Sequence, residues 1–255
     1  MYLEKIIESK RKSKLSSLSL IELQSLLGEN PRDDIRPIVF SDSLDVIAEI
    51  KRKSPSKGHL AKIEDPGQLA KSYEDGGACL ISVLTDEEYF GGSANDLKIV
   101  RESVSLPVLR KDFAIDLTDV YETYLMGADA MLLIVSAIED RTLLQDMFDL
   151  AYELNLNVLV ETHSEDEMEV ANNIGAKIIG VNVRDLKTFD EIPELGESLL
   201  SDLGDEIIKV WESSITTIEQ AQKARRSGAD AVLVGQGLVQ HENPAYFIEQ
   251  MRSIS

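Results

Sequence analysis

From residue 46 onward the hydrophobic positions fall into two alternating patterns. Short apolar runs occur at 46–51, 78–84, 107–111, 130–135, 157–161, 177–182, 207–212 and 231–235. Longer amphipathic stretches separate them at 66–75, 94–102, 117–126, 140–154, 165–174, 192–200, 217–227 and 244–251. The short runs are nearly continuous in apolar character, which is the pattern of strands covered on both faces. Several amphipathic stretches end in glycine just before the next run, as in Gly127-Ala128 and Gly228-Ala229, where a left-handed helix terminus suits glycine. Eight strand–helix units between residues 46 and 255 predict an α/β fold, a (β/α)8 TIM barrel. A doubly wound open sheet is the alternative, but its glycine-rich dinucleotide turn is missing after the first strand.

Residues 1–45 read differently. Leu3, Ile6 and Ile7 have helical spacing, 19–27 could form a second short helix, and 30–42 is a connector broken by Pro31 and Pro37. The expectation is one domain, with an N-terminal helical extension (1–45) that covers one end of a barrel (46–255).

Composition narrows the function. The chain has 46 acidic and 26 basic residues, a formal net charge of −20. So acidic a surface repels nucleic acid and anionic membranes. Against it the cluster Lys51, Arg52, Lys53 and Lys57 stands out as a place for an anionic small molecule. With one cysteine, Cys79, no intrachain disulfide forms, and the three histidines are scattered without ligand spacing. No run has the length of a membrane span and no signal-peptide core is present. A cytoplasmic monomer without metal or cofactor is expected.

Chemistry in such a barrel sits at the C-terminal ends of the strands. Glu49 and Lys51, two residues apart, share one face of the first run. Other runs end in Arg110-Lys111-Asp112, Glu161, Asn182-Val183-Arg184 and Glu212-Ser213-Ser214. A common centre of three cations and three glutamates is expected, with pKa values pushed apart. A lysine beside other cations would have its pKa lowered. Ser213-Ser214 and Gly235-Gln236-Gly237 fall in the loops that usually hold phosphate, and Lys53 and Ser54 could complete that cradle.

With these residues in place the chain resembles the indole-3-glycerol phosphate synthase family over nearly its whole length. The resemblance rests on IAEIKRKSPSKG (47–58), SVLTDEEYFGGS (82–93), PVLRKDF (107–113), GADAMLLIV (127–135), Glu161, GVNVRDLKTF (180–189), ESS (212–214) and GADAVLVGQGL (228–238). It implies conversion of 1-(2-carboxyphenylamino)-1-deoxyribulose 5-phosphate to indole-3-glycerol phosphate, without cofactor. It further implies roles: Lys111 as general acid, Glu161 in acid–base work, Lys51 as a second essential lysine tuned by Glu49, and Asn182 bonded to the reacting substrate. Arg184, Glu212 and Ser213 match substrate positions. Phe90, Phe113 and Leu133 match the apolar wall, and Lys53, Ser54, Gly235 and Gln236 the phosphate site. Trp211 and Ser214 depart from the family pattern, which has a small residue and a glycine there, and both are expected to meet the phosphate. Val183 stands where a polar residue is more usual. A phosphoribosylanthranilate isomerase and a catalytically silent phosphate-binding barrel stay open as other readings.

Overall fold

The computed structural model describes residues 2–14, 18–184 and 192–254. Eight strands form the barrel: β1 (Asp45–Ile50), β2 (Leu80–Leu84), β3 (Val108–Lys111), β4 (Ala130–Ile134), β5 (Asn157–Thr162), β6 (Ile178–Asn182), β7 (Ile208–Glu212) and β8 (Ala231–Val234). Each pairs in parallel with its chain neighbour, and β8 closes on β1 with Asp45 opposite Ala231. Every residue of β1, β2, β4 and β8 is buried, because barrel interior and helix layer cover opposite faces of the same strand.

The outer layer is built from Pro66–Asp75, Ala94–Ser103, Leu117–Leu125, Arg141–Glu153, Glu165–Asn173, Pro193–Ser201, Ile218–Arg226 and Pro244–Arg252. Polar side chains start most of these helices. Asp65, Ser93, Asp116, Asp140, Ser164, Thr217 and Asn243 each accept a hydrogen bond from a first-turn amide. Such a cap typically contributes about 1 kcal/mol. Gly127 (φ 87°) and Gly228 (φ 94°) take the left-handed turn after their helices, and Asn155 (φ 59°) does so where no glycine is present.

The short elements beyond this plan were not evident in the hydrophobic pattern. Lys53–Ser54 and Gly58–His59 pair as a small antiparallel hairpin after β1. One-turn helices at Glu87–Phe90 and Gln236–Val239 follow β2 and β8. Each is too short to show a period and is set by local bonds, such as Asp86 Oδ1 accepting from Tyr89 N at 2.7 Å.

The extension reaches both ends of the barrel. Helix α1 (Tyr2–Lys14) lies against the loops after β2 and β3, where Lys10 Nζ meets Asp112 Oδ1 at 2.5 Å, and against helix Leu117–Leu125, where Lys14 Nζ meets Asp119 Oδ2 at 2.9 Å. Helix α2 (Leu20–Glu29) packs on Leu117–Leu125. The connector that follows then runs down to the opposite end. There Asp129, with no exposed surface, accepts from Arg36 N (2.9 Å), Val108 N (2.9 Å) and Arg101 Nη2 (3.1 Å).

Removing the Asp129 carboxylate would strand two backbone donors and leave Arg101 with Asp34 alone of its two acidic partners. Asp129→Ala should therefore lower stability by about 3–5 kcal/mol in urea unfolding, the usual range for breaking a buried ion pair from one side. A loss below about 1 kcal/mol would show that the connector is not anchored there.

Candidate active site

One cavity opens at the C-terminal ends of the strands. Its charged floor comes from alternate strands: Glu49 on β1, Lys111 on β3, Glu161 on β5 and Glu212 on β7 all line it. Residues from alternate strands share a layer inside such a barrel, so four consecutive odd strands deliver one lysine and three carboxylates to one level. Glu49, Glu161 and Glu212 are each 2% exposed. Charges so deeply buried need partners. Lys111 Nζ donates to Glu161 Oε2 at 2.6 Å and to Glu212 Oε2 at 2.9 Å. Lys51, one residue past the end of β1, meets Glu49 Oε1 at 2.5 Å.

Two glycines make room for this floor. A Cβ on Gly180 would collide with Glu212 Oε1. One on Gly235 would collide with Glu49 Oε1 and come within 3.0 Å of Lys51 Nζ. Gly235 thus clears space for the Glu49–Lys51 pair as well as lining the cavity.

The electrostatics differ from the sequence expectation for Lys111. Burial alone would lower its pKa, but Glu161, Glu212 and Glu49 outweigh burial and raise it. Its neighbours are carboxylates, not the cations that the chain order suggested, because Arg110 points outward to Asp112 Oδ2 (3.1 Å) and Thr123 Oγ1 (3.0 Å). The two glutamates beside it separate. Burial raises Glu212 and the nearby Glu161 adds to that, against the pull of Lys111. Glu161 is held well below the usual carboxylate range: burial opposes this, but Lys111 and His163 prevail. Of two carboxylates sharing one ammonium, Glu161 is the more acidic.

Around the floor, Phe90 and Phe113 form an apolar wall, their ring centroids 6.0 Å apart, with Leu84, Leu132 and Ile134 beside them. On the other side Ser54, Lys57, Ser213, Ser214, Gly235 and Gln236 line the rim, and Lys57 Nζ donates to Gln236 Oε1 at 2.9 Å. Asn182 and Arg184 line it too. Among the described residues no group of three or more His, Cys, Asp or Glu could hold a metal ion, and no helix is long and apolar enough to cross a membrane.

The sequence model described as Indole-3-glycerol phosphate synthase matches residues 3–251. The chain belongs to the indole-3-glycerol phosphate synthase family. It is 44% identical over 254 residues to the indole-3-glycerol phosphate synthase of Chloroherpeton thalassium, an alignment covering 96% of this chain and 97% of that one. The protein of the same name from Paenarthrobacter aurescens is 46% identical over 217 residues, covering 85% and 79%. Among solved structures, 3-hexulose-6-phosphate synthase from Salmonella typhimurium superposes with a TM-score of 0.66 at 14% identity, over 83% of this chain and 98% of that one. At that identity the likeness shows the barrel alone.

Of the site residues expected of a synthase in this family, Lys111, Glu161, Lys51, Glu49, Asn182, Ser54, Phe90, Phe113, Arg184, Glu212, Ser213, Ser214, Gly235 and Gln236 line one cavity. Three of the expected residues lie outside the cavity lining. Leu133 is fully buried but does not line the cavity; its neighbours Leu132 and Ile134 do, because adjacent strand residues face opposite sides. Lys53 turns away to donate to the Glu88 carbonyl, and Lys57, across the hairpin turn, takes the place at the cavity. Trp211 is also fully buried away from the cavity, behind Glu212 and against Gly196 and Val183. Part of the 180–189 motif, 185–189, lies outside the described residues. Cys79 donates to Val46 O and does not line the cavity, which leaves the isomerase reading without its thiol.

His163 was missed by sequence reasoning. Its Nε2 lies 3.2 Å from Glu161 Oε1 and its Nδ1 3.2 Å from Glu167 Oε2. The signal was available: His163 stands two residues after Glu161 and so shares its side of the chain. Burial opposes its protonation, but Glu161 and Glu167 raise its pKa from 6.5 to about 9. Below 6.5 folded and unfolded chains both hold the proton, and this contribution to stability is complete. As pH climbs to about 9 it is lost. His163→Asn keeps a donor and removes the titration. Its stability should fall less steeply across that window in urea titrations, whereas parallel slopes would show that His163 carries no extra proton.

Proposed function

We propose that this chain is an active indole-3-glycerol phosphate synthase. It would close the ring of 1-(2-carboxyphenylamino)-1-deoxyribulose 5-phosphate and release one carbon dioxide and one water. The observation that supports this best is Lys111 Nζ between Glu161 Oε2 and Glu212 Oε2, with an aromatic wall on one side and a small-residue rim on the other. The wall suits the anthranilate ring. The rim, with Ser54, Lys57, Ser214, Gly235 and Gln236, suits the phosphate.

In this reading Lys111 protonates the ketose carbonyl oxygen while the aromatic carbon bearing the carboxylate attacks the carbonyl carbon. A raised lysine pKa is no obstacle. The alkoxide forming in that step is more basic than any ammonium, so the proton moves downhill as charge develops. Lys51, in place beside Glu49, faces the substrate carboxylate, which leaves as carbon dioxide and returns its bonding pair to the ring. In the dehydration Glu161, the ionised carboxylate, takes the proton from carbon, and Glu212, the more basic of the two, hands its proton to the departing hydroxyl. Separate environments for paired carboxylates commonly mark such a division of labour. Phe90 and Phe113 exclude water from the ring face. We further propose that the protein works in the cytoplasm as a monomer, without metal, cofactor or nucleic acid.

Purified protein mixed with the carboxyphenylamino substrate should form indole-3-glycerol phosphate, followed by indole fluorescence. Folded protein that gives no product would overturn the assignment. Lys111→Ala should lose at least about 10²-fold in kcat with an unchanged circular dichroism spectrum, the range for removing one general acid. Activity near that of the parent chain would take Lys111 out of the mechanism.

A further inference from the structure

Two consecutive non-glycine residues in the cavity rim, Ser213 (φ 75°) and Ser214 (φ 60°), adopt left-handed backbone. A side chain in that region costs about 1–2 kcal/mol per residue. Such strain persists only where the surroundings over-determine it. The side chain that does so lies outside the cavity. Trp211 Nε1–H donates to the Ser213 carbonyl at 3.1 Å, gripping the peptide that joins the two strained residues.

The indole itself cannot turn. Trp211 is 2% exposed. Its ring sits where a Cβ on Gly196 would come within 2.8 Å of Cη2 and Cζ3, and within 2.5 Å of Val183 Cγ1. The glycine of one helix and the valine after β6 therefore form the slot that aims the N–H.

The consequence reaches the chemistry through a chain of bonds. Ser213 Oγ donates to Asn182 Oδ1 at 2.8 Å, and Arg184 N donates to the same oxygen at 3.1 Å. With that oxygen occupied twice, the Asn182 amide must present its NH2 the other way. Asn182 Nδ2 donates to Glu161 Oε1 at 3.0 Å. If the 213–214 peptide relaxed toward an unstrained conformation, the Ser213 hydroxyl would leave Asn182, and the amide oxygen would lose one of the two donors that fix its orientation. Ser214, whose buried Oγ finds no partner among the described residues and which lines the cavity, would move with it.

We propose that Trp211 is a positioning residue for Glu161, acting through the clasped Ser213–Ser214 peptide and the Asn182 amide. The proposal rests on the synthase reading for its kinetic readout only. Trp211→Phe keeps an aromatic ring in the slot and removes the donor. It should lower kcat about three- to tenfold, the equivalent of one buried hydrogen bond, with KM changed less. The decisive comparison adds Ser214→Gly. Glycine takes the left-handed conformation freely, so Trp211→Phe/Ser214→Gly should recover to within about twofold of Ser214→Gly alone. The single and double variants share the same packing loss at the slot, so an indole that merely fills space predicts no rescue. Parent-like kcat in Trp211→Phe, or a loss that Ser214→Gly leaves unchanged, would overturn the proposal.

A measurement on the parent chain needs neither a variant nor turnover. Trp211 is the only tryptophan, so its indole N–H gives one nitrogen–proton resonance. That resonance should be shifted downfield and slow to exchange with solvent. Rapid exchange would overturn the clasp by itself. A parent chain inactive on the substrate but with a protected indole would instead count against the synthase reading and leave the clasp standing.

Discussion

Everything at the mouth of this barrel depends on one buried ammonium. Lys111 is surrounded by Glu161 and Glu212 at hydrogen-bond distance, with Glu49 near enough to raise its pKa further. Three carboxylates and one lysine would be intolerable in a dry interior without further cations. Lys51 on Glu49 and His163 on Glu161 supply them. The result is an asymmetry: Glu161, with Lys111, His163 and Asn182 around it, is held low, while Glu212, with fewer partners, is pushed up. Two glutamates on alternate strands acquire different proton affinities from the same burial.

The rest of the fold can be understood as support for that cluster. Closure of the barrel brings alternate strands to one level. Gly180 and Gly235 leave the space that the carboxylates and Lys51 fill. Outside the barrel wall, the intervening residues do the holding. Arg110, next to Lys111, ties β3 to the helix layer through Asp112 and Thr123, and Lys10 of the extension reaches the same Asp112. The residue after Asp112 is Phe113, so this outer network also sets one side of the aromatic wall. The described residues of the extension are therefore part of the site's scaffold without lining the cavity.

The same division into inner and outer faces explains where sequence reading succeeded and failed. The eight strands and eight outer helices were legible because continuous apolar runs and amphipathic periods are local signals. Glu49, Lys111, Glu161 and Glu212 were legible because charge at the end of an apolar run is unusual. Leu133 was misplaced by one residue, since a fully buried strand has no polar face to reveal its parity. That Lys57 and not Lys53 lines the cavity was not legible, because a hairpin that short carries no pattern in its sequence. His163 went unremarked because its spacing from Glu161 is a weak signal alone, and its second partner, Glu167, joins it only when the strand end and the following helix are folded together.

The chain alone determined the order of strands and helices, the family, and the set of polar residues that meet at one end of the barrel. These follow from hydrophobic period, capping chemistry and motif, all written within a few residues of one another. The tertiary structure decided which of those residues face inward, which way the lysine pKa moves, and that Trp211 lies behind the strand instead of at the cavity. Those outcomes depend on distances between strands far apart in the chain, and in a low-dielectric interior a few ångströms decide both the sign of a pKa shift and the partner of a hydrogen bond.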